Sequence, residues 1–251
     1  MAEGGARPLL CCVIAASSRS LLDEATLPEG PFGERNAQVE AASLIAVVTP
    51  LRGSAGVAQV ERPRVADLVA YGRLIEHVHD RCTTLPIRFG CLFEDTAAVA
   101  QHLVDRAADY GRLLTELQGA VEVAVRMPVR PADPTDDPKT DAAGAGAGAA
   151  YLRALRARLV KEQQREAHTV REAEWLRAAL ADGTRAQAVS LKPLAPAGKA
   201  NEPAAPAVSV SLLIERGQLA ALRQRVAELA AHSGRTLTLH GPFPPYSFVK
   251  L

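Results

Sequence analysis

The chain has 251 residues, of which 48% are hydrophobic and 23% charged, so it can bury the core of one large domain or of two ordinary ones. Its 29 basic and 28 acidic residues leave a formal charge of +1, and aromatic residues make up only 4%. The sequence therefore lacks both the basic excess and the aromatic stacking platforms of nucleic-acid binders. It also lacks a run of the ~20 apolar residues that a membrane span needs.

The first apolar segment, Leu9 to Ala16, follows Arg7 and is faintly similar to a signal peptide. The segment is short, and Glu3 lies in what would be a basic leader, so we prefer a β-strand over the same residues. The adjacent Cys11 and Cys12 match no zinc or redox spacing, and we interpret them as small buried residues of a protein in a reducing compartment.

The residues before about 119 alternate between strand and helix patterns. The predicted strands are Pro8–Ala15, Gln38–Thr49 and Leu85–Phe89, and the predicted helices are Val65–Arg81 and Asp95–Gln118. The apolar residues expected near one face of these helices are Val65, Leu68, Ile75 and Val78 in the first, and Val99, Leu103, Tyr110, Leu114 and Leu117 in the second. We predict an N-terminal α+β domain over residues 1–118.

The second half has a more regular pattern. The predicted elements are a strand at 121–127, a long helix at Ala150–Leu180, strands at 186–191 and 208–214, a helix from Leu219 that ends at Ser233-Gly234, and a strand at 236–240. This βαββαβ order predicts a ferredoxin-like domain over 119–240. Stretches rich in Pro, Ala and Gly at 128–148 and 193–206 are predicted to be flexible insertions.

The long helix has two interpretations. Its acidic and basic residues lie three or four apart, and its apolar stripe drifts around the helix. One interpretation is a helix packed on its own sheet with a solvated outer face. The other is a helix long enough to extend beyond the sheet and offer a surface to a partner.

No pattern of catalytic or ligand-binding residues is found. His77 and His79 lie two apart and face different sides of a helix, whereas a helical metal pair needs a spacing of three or four. The acidic stretch Asp133–Asp141 is interrupted by proline and lacks a calcium-loop pattern, and the glycines from Gly144 are not followed by Lys-Ser/Thr. We therefore predict a protein that is not an enzyme and has no cofactor or metal.

Two segments are too specific to be generic connections. Leu85–Gly90 has the sequence LPIRFG, which puts an arginine and an aromatic residue between a proline and a glycine. Gly241–Val249 has the sequence GPFPPYSFV, whose prolines favour an extended tail with Tyr246 and Phe248 as anchors.

These two segments resemble the gas vesicle protein GvpF/GvpL family, whose members carry an LPxRFG block followed by a helix and end in a GPWPPYSF-like tail. The tail differs here in having Phe243 where Trp is commoner. The resemblance covers nearly the whole chain apart from the two insertions. It implies a cytoplasmic, non-catalytic accessory protein of gas vesicle assembly, with two α+β domains, that contacts the small hydrophobic shell protein and other accessory proteins.

We expect the partner surface to combine an exposed sheet edge, the long helix and the cleft between two domains. Arg88 is expected either to fix the domain interface through an internal salt bridge or to bind a partner's carboxylate. The tail 241–251 is expected to pack across the domains rather than to bind a partner. The candidate interface or interdomain residues are Pro86, Arg88, Phe89, Gly90, Gly241, Pro242, Pro245, Tyr246 and Phe248.

Two other function classes stay open from the residues alone. A small-molecule-binding regulatory module is the main alternative, because ferredoxin-like domains are neutral scaffolds for many functions. An enzyme with an unrecognised site is the weakest alternative.

Overall fold

The computed structural model describes residues 6–129, 147–193 and 206–249, so most of the two predicted insertions lie outside the described residues. The strands are β1 (Arg7–Ala15), β2 (Ala37–Ala41), β3 (Leu44–Leu51), β4 (Leu85–Pro86), β5 (Ala120–Pro128), β6 (Ala186–Pro193), β7 (Pro206–Glu215) and β8 (Thr238–Phe243). The helices are α1 (Gly53–Glu61), α2 (Val65–His79), α3 (Thr96–Asp105), α4 (Ala107–Glu116), α5 (Ala147–Ala179) and α6 (Leu219–Ser233). Two four-stranded antiparallel sheets with helices confirm the predicted α+β class.

The chain divides into two compact units. The first comprises Met1–Glu122, Leu213–Gly217 and Gly241–Leu251, and the second comprises Val123–Leu212 and Gln218–His240. The C-terminal tail is thus grouped with the first unit. The predicted domain limits and the predicted packing of the tail across two domains stay predictions.

The first sheet has the strand order β2-β3-β1-β4. Strands β1 and β3 pair antiparallel from Arg7 opposite Leu51 to Ala15 opposite Leu44, with a register shift near Leu10. The single predicted strand over 38–49 is in fact a hairpin of β2 and β3, because Ala42 and Ser43 have φ values of 49° and 63° and form the turn. Positive φ at both central residues is the geometry of a tight two-residue hairpin.

Helix α2 packs into the core through an inward stripe of Tyr71, Leu74, Ile75 and Val78. The prediction placed Val65 and Leu68 near this face, but both are exposed. Asp67 takes the inward position of the first turn instead, because its carboxylate accepts hydrogen bonds from the Arg64 backbone at 3.0 Å and from the guanidinium at 2.9 Å. The bond from Arg64 lowers the pKa of Asp67, so the carboxylate stays charged at this helix start.

The predicted helix over 95–118 is divided into α3 and α4 at Arg106, whose φ of −105° and ψ of 9° leave the helical region. Its predicted apolar stripe is nevertheless buried in full, which confirms the helical spacing. The stripe consists of Val99, Leu103, Tyr110, Leu114 and Leu117. Helix α1 was not predicted, since its glycine- and alanine-rich sequence has no apolar periodicity.

The second sheet has the strand order β6-β7-β5-β8. The alternate residues Val208, Val210, Leu212 and Ile214 of β7 are buried, and so are Ala173, Leu176 and Leu180 at the end of the long helix. Helix α6 is closed by Gly234, whose φ of 64° is the left-handed conformation of a C-terminal cap, as predicted. The long helix therefore has a buried end.

A clamp of three side chains fixes the buried end of α5. Arg235 donates two hydrogen bonds of 2.9 Å to the carboxylate of Glu172, and its guanidinium carbon lies 3.9 Å from the centre of the Trp175 ring. The bond from Arg235 lowers the pKa of Glu172, so this pair stays charged in neutral solution. Among the described residues, no helix is both long enough and apolar enough to cross a membrane.

Candidate functional site

The LPIRFG turn is built into the edge of the first sheet. Pro86 lies opposite Cys12 and is buried in β4, which is shorter than the strand predicted over 85–89. The amide of Ile87 donates to the carbonyl of Cys11 at 3.0 Å. Gly90 then has a φ of 101°, a conformation that favours glycine, and the chain after it pairs with β1 again through the antiparallel bridge between Leu9 and Leu92. The specificity of this segment therefore reflects, in large part, the geometry of the turn.

Phe89 of the same turn packs in a cluster of aromatic side chains. Its ring centre lies 5.1 Å from that of Tyr71, edge to face, and 6.3 Å from that of Phe32. The Tyr71 hydroxyl donates to the carbonyl of Ile87 at 2.6 Å, and burial raises the pKa of Tyr71. We call Phe32, Tyr71 and Phe89 the aromatic cluster. It holds helix α2, the 31–33 loop and the turn together.

Arg88 lies between these buried neighbours and is exposed. No ion pair or hydrogen bond joins it to another described residue, so the predicted internal salt bridge is not observed within that part of the chain. A guanidinium that is exposed beside a rigid turn is free to meet a carboxylate from outside.

The C-terminal tail is held by Glu122 at the start of β5. This buried carboxylate accepts hydrogen bonds from the amide of Ser247 at 2.8 Å and from its hydroxyl at 2.6 Å. Gly241 has a φ of 116°, and a side chain there would come within 3.0 Å of the Glu122 carbonyl. Pro245 is buried, whereas Pro242 is exposed. The tail is therefore an integral part of the first unit.

The two predicted segments lie near each other through Tyr71. Partial burial, together with the carboxylates of Glu76 and Glu122, raises the pKa of Tyr246, whose side chain is still 43% exposed. Tyr246 in turn contributes to the raised pKa of Tyr71, which packs on Phe89. Phe248 is half-buried. Among the aromatic residues of the two segments, Tyr246 is thus the exposed one, while Phe89, Phe243 and Phe248 are half-buried.

Sequence reasoning missed an arginine that binds the end of α2. Arg216 donates to the carbonyl of His79 at 3.2 Å and to the carboxylate of Asp80 at 3.4 Å. His79 itself is buried, and neither of its ring nitrogens has a hydrogen-bond partner among the described residues. Burial and the nearby Arg216 lower its pKa to about 4, so His79 is neutral at physiological pH. No sequence signal links residue 216 to residue 79.

Exposed apolar residues form groups in three places that carry no motif. Leu152, Leu155 and Leu159 lie in the first half of α5, Val189 and Leu191 on the edge strand β6, and Val65, Leu68 and Val69 at the start of α2. The two interpretations of the long helix thus each describe one of its halves: the end is buried, and the beginning is exposed. Such surfaces can meet a protein partner.

Depressions of about 320, 430 and 790 Å³ in the first unit have the size of small-molecule sites. The depression of 790 Å³ is the largest of these. It is lined by loop residues of the 23–37 region, which include Asp23, Glu29 and Arg35. Charges of both signs on a loop lining select no particular class of ligand. Among the residues that the structure describes, no group of three or more His, Cys, Asp or Glu side chains is placed to hold a metal ion.

Comparison with known proteins identifies a family and similar crystal structures. The family described as gas vesicle synthesis protein GvpL/GvpF matches residues 10–250. The gas vesicle protein GvpF from Microcystis aeruginosa is similar at a TM-score of 0.70 and 15% identity, covering 98% of this chain and 99% of that one. GvpF from Anabaena sp. PCC7120 gives a TM-score of 0.68 and 13% identity, covering 98% and 97%. No curated protein matches the sequence significantly. At these identities the two structures show a shared fold alone.

Proposed function

The chain belongs to the gas vesicle synthesis protein GvpL/GvpF family, and from this membership we propose that it is an accessory protein of gas vesicle assembly that binds the small hydrophobic shell protein. The observation that carries the proposal is the family match over residues 10–250, which leaves almost no part of the chain outside it. A role in gas vesicle formation follows from the family, and the binding of the shell protein is the proposed step.

The edge of the second sheet supports this step. Strand β6 is the outermost strand of that sheet, and Val189 and Leu191, two residues apart on it, are 43% and 49% exposed. Residues two apart on a strand lie on the same face. An edge strand with exposed apolar side chains can pair with a strand of another chain, and an apolar shell subunit needs such a partner before it assembles.

We also propose that the second sheet and its helices form a ferredoxin-like domain. The chain order β5-α5-β6-β7-α6-β8 is βαββαβ, and the strand order β6-β7-β5-β8 places the third strand between the first and the second. This split βαβ arrangement supports the assignment. The fold itself carries no function, so the proposal for the shell protein rests on the edge strand and not on the fold.

The proposal also covers where the protein acts and how it acts. The protein acts in the cytoplasm and on the gas vesicle, contacts further accessory proteins, and binds its partners without turning over a substrate. Arg88 and Tyr246 have the only large side chains of the two family-like segments that are exposed, and they are offered as contacts for these accessory proteins.

The role is tested in a gas-vesicle-forming strain that lacks the gene for this chain. We expect the strain to form few or no vesicles and to recover them when the gene is restored, and we expect the shell protein to co-purify with the tagged chain. Normal vesicles in the deletion strain, together with no recovery of any vesicle protein on the tagged chain, would contradict the proposal.

The edge strand is tested separately with a matched pair of variants. Leu191→Lys puts a charge on β6, and His240→Lys puts the same residue on an exposed position of β8, at the opposite edge of the sheet. We expect the first variant to reduce co-purification of the shell protein at least about tenfold and the second to leave it unchanged, because a lysine on an edge strand opposes strand pairing. Equal recovery from both variants would remove β6 from the proposal.

A further inference from the structure

Helix α5 carries a seam of residues spaced by three and four, as in a coiled coil. The positions of this seam are Leu152, Leu155, Leu159, Glu162, Glu166, Thr169, Ala173, Leu176 and Leu180. The last three are buried, at 6% exposure or less, whereas the three leucines at the beginning are 64%, 41% and 54% exposed. We call Leu152, Leu155 and Leu159 the leucine seam. The same face of the helix is thus covered at one end and uncovered at the other.

The exposed half of the helix has the geometry of a binding surface for another helix. Every side chain that the structure describes from Tyr151 to Ala167 is exposed, so this half extends away from the packed part of α5. A seam of two residues per heptad suits one partner helix through knobs-into-holes packing. A helix that lies on a membrane surface is strongly amphipathic, whereas apolar and polar residues are only weakly segregated along α5 as a whole.

The charges beside the leucine seam indicate the chemistry of the partner. From Tyr151 to Lys161 the sequence has four basic residues and no acidic one. With Leu152 at position a and Leu155 at position d of a heptad, Arg156 falls at e and Arg158 at g, and both are exposed. The e and g positions set partner choice in coiled coils, because their charges meet those of the facing helix.

A second copy of the chain fits this surface poorly, since the two basic stretches would lie alongside each other within a Debye length of about 8 Å. We propose that the leucine seam docks an acidic amphipathic helix of a partner protein, with Glu or Asp of that helix facing Arg156 and Arg158. This site is distinct from the β6 edge and goes beyond the binding of the shell protein.

The experiment uses the purified full chain and fluorescent synthetic peptides of three heptads. One peptide has Leu at a and d and Glu at e and g, and the other has Lys in place of Glu. We expect fluorescence anisotropy to show at least about tenfold tighter binding of the Glu peptide. Leu155→Ser with Leu159→Ser should weaken that binding at least about tenfold, and Arg156→Glu with Arg158→Glu should reverse the preference between the two peptides.

Both pairs of substitutions are at exposed positions, and an unchanged unfolding midpoint verifies that each variant is folded. Equal affinity for the two peptides, no binding of either, or binding that survives both pairs of substitutions would overturn the proposal. So would co-sedimentation with phosphatidylglycerol vesicles that the serine variant abolishes, since the occupant would then be a membrane. The proposal would also be overturned if analytical ultracentrifugation showed a dimer of the wild type and a monomer of the serine variant, because the leucine seam would then bind a second copy of the chain.

Discussion

The aromatic cluster contains residues of a specific sequence motif that are packed inside the protein, whereas the leucine seam has an ordinary sequence and is exposed. Phe89 of the cluster belongs to a segment specific enough to resemble a family, yet it packs against Tyr71 inside the first unit. The leucine seam belongs to a stretch of Leu, Ala and Arg without a motif, yet its side chains are in water. The specific residues occur where backbone geometry and packing are tight, and among the large side chains of the two segments only those of Arg88 and Tyr246 are exposed.

Among the variants of these regions, Phe89→Ala should lose the most stability. The substitution removes a ring that contacts both Tyr71 and Phe32, and we expect a loss of about 3 kcal/mol in the free energy of unfolding. Urea denaturation followed by circular dichroism measures it. Arg88→Ala at the neighbouring exposed position is the control and should change the free energy by less than about 0.5 kcal/mol.

The pH dependence of stability tests the buried part of the first unit next. His79 has a pKa of about 4 in the folded chain against 6.5 for an ordinary histidine, so the unfolded state binds more protons between these values. Stability should therefore fall as the pH is lowered from about 6.5 to 4, with a contribution from His79 on the order of 2 kcal/mol.

The urea midpoint of unfolding is measured against pH for the wild type and for His79→Gln. Because glutamine does not titrate, the midpoint of the variant should decrease less than that of the wild type as the pH is lowered over the same range. The exposed His240→Gln serves as the control and should follow the wild type. A His79→Gln profile parallel to that of the wild type would mean that the ring is not buried as described.

A smaller effect is expected at the tail. Glu122→Gln weakens the two hydrogen bonds to Ser247, and we expect a cost of about 1 kcal/mol. Hydrogen exchange should become faster at the amide of Ser247, while Ser247→Ala, which removes only the hydroxyl bond, should have a weaker effect. Unchanged exchange in Glu122→Gln would show that the tail is held by other contacts.

Substitutions in the leucine seam should change the free energy of unfolding least. Leu155→Ala should change the free energy of unfolding by less than about 0.5 kcal/mol, since its side chain is exposed. Leu176→Ala, six positions further along the same seam and fully buried, should cost about 3 kcal/mol. Equal losses would show that the beginning of α5 is packed as firmly as its end.

The periodicity of apolar residues predicted most helices and strands, but it did not predict the turns and breaks that divide some of them. The stripe from Val99 to Leu117 was predicted because a helix that packs on one face must repeat its apolar residues every three or four positions. The break at Arg106 left that repeat intact and so gave no signal. Val65 and Leu68 were placed on the wrong face, because the pair of Arg64 and Asp67 turns a charged residue inward at the start of α2.

At the candidate site, the two unusual segments could be recognised from the sequence, whereas their contacts could be seen only in the tertiary structure. LPIRFG and the proline-rich tail could be singled out because proline, glycine and aromatic residues restrict the chain locally. The links from Glu122 to Ser247 and from Arg216 to His79 join residues more than 120 positions apart and could not be inferred from spacing. The exposure of the seam residues of α5 is also decided by the tertiary structure. The nine seam positions follow the same three- and four-residue spacing in the sequence. The last three are buried and the first three are exposed, because the packed part of the second unit reaches only the end of the helix.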